Sequence, residues 1–126
     1  MLRCNRYVFT SIILLFHIFP AFFSSLTRAD NAKSTAEQYY HGGMEAYTIG
    51  DFTEAADSFH ESYVMDERSI TAYMVSATCL QQENPWCAED YAKLALKDSP
   101  QLKEPFASDA KKILTWATKS KKITII

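Results

Sequence analysis

From residue 36 onward the apolar positions recur at intervals of three and four, the spacing of one face of an α-helix. Tyr39, Gly43, Ala46 and Tyr47 predict a helix over 36–49, and Phe52, Ala55, Ala56, Phe59 and Tyr63 predict one over 52–65. Ile70, Tyr73, Met74, Ala77 and Leu80 follow over 70–82, then Ala88, Tyr91, Ala92, Ala95 and Leu96 over 86–97. A last helix over 104–118 carries Phe106, Ala110, Ile113, Leu114 and Ala117, with Pro105 suited to its first turn. Glycine and proline fall between these stretches: Gly50-Asp51, Asn84-Pro85 and Ser99-Pro100 each read as a turn. The closing Ile123-Thr124-Ile125-Ile126 alternates too briefly to pair as a strand. Helices joined by tight turns make an all-α chain.

The first thirty residues follow another pattern. Arg3 and Arg6 precede an almost wholly apolar run at 8–23, and a short small-or-polar stretch ends at Thr27-Arg28-Ala29. This three-part layout predicts a signal peptide over 1–29, cleaved after Ala29, with 30–35 as a short lead-in. The competing reading is an uncleaved membrane anchor; Pro20 interrupts the run, which is shorter than the ~20 residues a span needs. Cys4 lies ahead of the apolar run, which disfavours lipid anchoring. The protein is therefore expected to be periplasmic or secreted, with no stable membrane span once the signal is gone.

Export changes the charge. Cleavage removes Arg3, Arg6 and Arg28, leaving 10 basic and 15 acidic residues, a net charge of −5. A nucleic-acid partner is disfavoured by that balance. The charge is also uneven. Residues 30–67 hold nine acids and one base, Lys33, whereas 68–126 hold nine bases and six acids. That polarity is either a solvated acidic helix pair beside a basic-ended helix or a feature used in docking.

The second pair of helices echoes the first. Tyr39 and Tyr73 lie 34 residues apart, as do Gly43 and Ala77, while Ala55 and Ala88 lie 33 apart, as if one residue were lost near Asn84-Pro85. Small residues at Gly43, Ala55, Ala77 and Ala88 permit close helix approach, and Tyr39, Phe59 and Tyr73 fill the remaining space. Tyr39-x3-Gly43, then Gly50-Asp51-Phe52-x2-Ala55-x3-Phe59 and Asp66, resembles a tetratricopeptide repeat (TPR), whose period is about 34 residues. Ser62 stands where that consensus has alanine and Glu67 where it has proline. The second copy keeps Tyr73, Ala77, Ala88, Ala95-Leu96 and Pro100. The mature chain as a whole also looks, more loosely, like small exported bacterial TPR proteins, and the resemblance implies two repeats (36–68 and 69–100), a capping helix (101–118) and a basic, apolar tail (119–126). Together these would form a short α-solenoid.

Cleavage leaves two cysteines, Cys79 and Cys87, late in one helix and early in the next. They are expected to form a disulfide in an oxidising compartment; the alternative is two buried thiols. No second Cys/His pair stands at zinc-ligand spacing, His41 and His60 belong to no triad, and no Gly-rich phosphate loop occurs. The chain is read as a non-enzyme without metal or cofactor.

The resemblance also implies where a partner would bind, because the first helix of each TPR lines the concave face. The matching positions are Tyr40, Met44, Tyr47 and Thr48 in the first copy and Met74, Thr78, Gln81 and Gln82 in the second. Tyr40 and Met44 stand where carboxylate-clamping TPRs carry lysine or asparagine, so an apolar peptide or partner helix is the better expectation. The alternative is that the last helix covers this face. The expected function is a protein–protein interaction scaffold or adaptor. The alternatives are a self-associating structural protein, hence a homo-oligomer, or an accessory subunit of an envelope enzyme.

Overall fold

The computed structural model describes residues 7–97 and 101–125, which form five helices: α1 (Tyr7–Ile49), α2 (Phe52–Met65), α3 (Ser69–Gln81), α4 (Pro85–Lys97) and α5 (Phe106–Thr124). The described chain is all-α. Expectations placed on Arg3, Cys4, Arg6 and the Ser99-Pro100 turn lie outside the described residues. The chain divides into two compact units at Ala32/Lys33, and the packing and the site described below belong to the second. Among the described residues, no helix is long and apolar enough to cross a membrane. The stretch 30–35, expected as a lead-in, is helical; it contains neither Gly nor Pro to interrupt α1.

The turns explain how these helices end. At the end of α1 the Asp51 N–H donates to the Ala46 carbonyl (2.9 Å) and the Gly50 N–H to the Tyr47 carbonyl (3.1 Å). Gly50 takes φ +83°. These two bonds and the left-handed glycine are a Schellman cap. Asp51 then caps α2, its carboxylate accepting from the Glu54 N–H at 3.1 Å. The end of α3 repeats the geometry without a glycine. Asn84 N–H donates to the Cys79 carbonyl (2.9 Å), Glu83 N–H to the Leu80 carbonyl (3.0 Å), and Glu83 adopts φ 55°. The Asn84 side chain accepts from the Cys87 N–H at 3.2 Å, as Asp51 does for Glu54. A non-glycine residue in the left-handed region costs about 1 kcal/mol. Glu83→Gly is therefore expected to raise stability by about 1 kcal/mol, read as a higher urea midpoint with an unchanged slope.

These matched turns fix the internal repeat. Buried Ala36, Gly43, Ala46, Ala55, Phe59 and Ser62 correspond, 33 residues on, to buried Ser69, Ser76, Cys79, Ala88, Ala92 and Ala95. An offset of 34 instead pairs Phe59 with exposed Lys93. The repeat is thus uniform at 33, and the counterpart of Gly43 is Ser76, not Ala77. No residue is lost within the Asn84-Pro85 turn.

The helices alternate in direction. Tyr47 meets Phe52 (ring centroids 5.4 Å) and Tyr40 meets Phe59 (5.6 Å), so α2 runs back along α1. Cys79 meets Cys87 while Ala72 and Ala95 share the core further along, so α4 runs back along α3. One continuous apolar core holds Ala46, Ala55, Phe59, Val75, Ala88, Ala92, Ile113 and Ala117, and a second holds Ala72, Ala95, Leu102, Ala107 and Ala110. Arg68 staples the first corner, pairing with Glu37 at 3.0 Å and Asp66 at 3.3 Å while its guanidinium lies 5.3 Å from the Tyr40 ring centre.

α5 extends past the expected end at residue 118 as far as Thr124, so most of the expected tail is helix. Pro105 stands at the N-cap position, just ahead of the first turn, and makes no side-chain cap. Tertiary contacts hold the added turns: Lys121 pairs with buried Glu89 of α4, and its Nζ sits 4.2 Å from the Trp86 ring centre. Glu89 also pairs with Lys93. Hydrogen bonds from Lys121 and then Lys93 hold the Glu89 carboxyl below its ordinary pKa of 4.5. A depressed native pKa contributes stability that is present above about pH 4.5 and is lost as pH falls through the native value. Glu89→Gln is expected to unfold at lower urea than the parent at pH 7. That difference should shrink as the pH is taken from 5 to 3; a constant difference would rule out the ion pair as its source.

Candidate functional site

α1, α3 and α5 border a cleft of about 380 Å³, of the size that accepts a few side chains of a partner. Its walls are Tyr47 from α1, Tyr73, Ala77, Leu80 and Gln81 from α3, and Asp109, Lys112, Ile113 and Trp116 from α5. Small Ala77 leaves room between the two tyrosines and Trp116. Burial first, then the charge of Asp109 and the nearness of Tyr47, pushes the Tyr73 phenol above its ordinary pKa of 10. At the rim Lys112 donates to Asp109 at 3.0 Å, so the cleft's charges are paired with each other and its walls are apolar.

The predicted groove residues divide. Tyr47 and Gln81 line the cleft. Tyr40 is half-buried against Phe59 beneath the Arg68 guanidinium. Met44 and Thr48 are exposed but border a separate shallow hollow with Glu45 and Ile49. Gln82 is exposed at the turn, its amide donating to the Phe52 carbonyl at 3.1 Å. Met74 and Thr78 are buried, at 8% and 0% exposure, and the Thr78 hydroxyl donates to the Met74 carbonyl. They offer a partner no surface.

One displacement of register accounts for the α3 half of that division. Carried forward by 33 residues instead of 34, Tyr40, Met44, Tyr47 and Thr48 become Tyr73, Ala77, Leu80 and Gln81, and all four line the cleft. Tyr73, Ala77 and Leu80 were thus the residues missed on this helix. The 33-residue spacing of Ala55 and Ala88 was the signal that would have found them. Nothing in the repeat pointed to Ile113 and Trp116, which enter because α5 packs beside α3 and walls the cleft without covering it. Tyr73 against Phe106 (ring centroids 5.3 Å) marks that packing.

Cys79 and Cys87 come together as expected, with sulfurs 1.96 Å apart and Cα atoms 5.8 Å apart. Their bridge ties the end of α3 to the start of α4 across the turn. His41 lies beside Glu37 at 3.6 Å and the His60 ring shares a hydrogen bond with the Tyr91 hydroxyl. Among the described residues no three His, Cys, Asp or Glu side chains are grouped to hold a metal ion. No family model, curated protein or solved structure matches the chain.

Proposed function

We propose that this chain is a non-catalytic protein–protein interaction module: a two-repeat TPR-like solenoid with α5 as its closing helix, exported by its N-terminal signal to the periplasm or beyond the cell. It takes a peptide or short helix in the cleft between α1, α3 and α5. The observation that carries this reading is the cleft's composition. Tyr47, Tyr73, Leu80, Ile113 and Trp116 present apolar and aromatic surface around small Ala77, with Gln81 and the Asp109–Lys112 pair confined to the rim. A buried apolar patch with a polar edge is the anatomy of a binding hot spot, in which an aliphatic or aromatic anchor displaces water.

Affinity capture from the source cell envelope, repeated with Trp116→Ala and Gln81→Arg, tests it. Each variant is expected to weaken retention of the partner by roughly 30-fold, the equivalent of about 2 kcal/mol, with helix content unchanged. A partner retained equally by the parent and both variants would place binding elsewhere and sink the reading.

A further inference from the structure

The charge asymmetry of the chain acquires a geometry once the helices are placed. On α2, Glu54, Asp57 and Glu61 follow one another at intervals of three and four on the exposed side, continuing from exposed Asp51 at the cap. This row is about 15 Å long, and exposed Val64 and Met65 end it. On α5, exposed Lys111, Thr115, Thr118 and Lys122 form a row of about 17 Å, with Lys119 beside it. Among the described residues Lys111, Lys119 and Lys122 enter no ion pair, and neither do Asp57 and Glu61. An apolar hollow of about 400 Å³ bounded by Leu114, Thr115, Thr118, Lys119 and Lys122 runs along the lysine row.

We propose that copies of this chain associate head to tail, the lysine row of α5 in one copy lying against the acidic row of α2 in the next. The occupant is a second copy because the two rows match in length, oppose in sign and each carry an apolar element. Val64, 61% exposed at the end of the acidic row, supplies the knob, and the hollow beside Leu114 receives it. The two surfaces differ, so the contact is heterologous: a joined pair keeps one free acidic row on one copy and one free lysine row on the other, and assembly grows into a ring or an open chain. The contact leaves the cleft untouched, so it stands or falls independently of partner binding there.

Sedimentation of the purified protein tests the proposal. Raising salt from about 50 to about 500 mM is expected to weaken association on the order of tenfold, because exposed charges are screened. Lys119→Glu/Lys122→Glu and, separately, Asp57→Lys/Glu61→Lys are each expected to sediment as monomers with unchanged helix content. Mixed in equal amounts, the two variants are expected to associate again, since each then presents the sign the other lacks. A parent protein that is monomeric at low salt overturns the proposal. So does an assembly that both reversals leave intact, or a mixture that stays monomeric.

Discussion

Phe59→Ala is expected to cost about 3–5 kcal/mol, a large share of the ~5–15 kcal/mol that stabilises a small domain. Phe59 is fully buried and, among the described residues, is the largest side chain to be so. Its ring fills the angle between α1 and α2, 5.6 Å from the Tyr40 ring centre. It also lies against Gly43 so closely that a Cβ there would stand 2.7 Å from two ring carbons and 3.0 Å from a third. No flexible chain end is available to yield, because the ring is enclosed. Gly43→Ala in the parent is therefore expected to destabilise by about 1–3 kcal/mol through overpacking, although alanine is the better helix former by ~1 kcal/mol. In the Phe59→Ala background the same change is expected to reverse sign and stabilise, because the clash is gone and the propensity gain remains. Urea midpoints of the four proteins read both effects. A Gly43→Ala cost that is equal in the two backgrounds would refute the packing account.

Removing the Cys79–Cys87 bridge is expected to cost about 2–3 kcal/mol, the loop-closure value for so short a ring. Cys79 is 1% exposed, so alanine is the proper replacement; serine would bury a hydroxyl and confound the result. Adding reductant to the parent and making Cys79→Ala/Cys87→Ala should lower the urea midpoint by similar amounts, and reductant should not affect the double variant. A parent indifferent to reductant would remove the bridge from the list of stabilising features. The bridge joins the end of α3 to the start of α4, the turn where Glu83 stands in the left-handed region without glycine. The covalent tie thus secures the turn whose local sequence favours it less than Gly50 favours its counterpart.

Much of the fold was legible because helices announce themselves locally. Gly50 and Asp51 predict a helix end and a helix start from their own chemistry, and both do what they predict. The three-and-four spacing of Phe52, Ala55, Ala56, Phe59 and Tyr63 marks the inward side of α2, on which Ala55 and Phe59 are buried and the other three half-buried. The second turn was harder to read. Glu83 is no glycine, so the Schellman cap it forms was invisible, and the repeat was aligned on two tyrosines instead of on the turns. That one-residue difference rotates a helix by about 100°, enough to move Met74 and Thr78 from an expected open face into the core. The extra turns of α5 were hidden for a different reason. Lysine-rich 119–122 reads as a solvated end, and only Glu89 and Trp86 on α4 give Lys121 a place to go.

By itself the sequence determined the existence of the helices, the turn at Gly50-Asp51 and the cysteine pair that can close the second turn. Helix spacing, turn chemistry and the Cys79–Cys87 separation each depend on residues within a few turns of one another, where backbone geometry dictates the spacing. The tertiary structure decided the 33-residue register, the length of α5 and the walls of the cleft. Tyr47, Tyr73 and Trp116 come from three helices and meet only through packing across the whole unit, so no local pattern records their meeting.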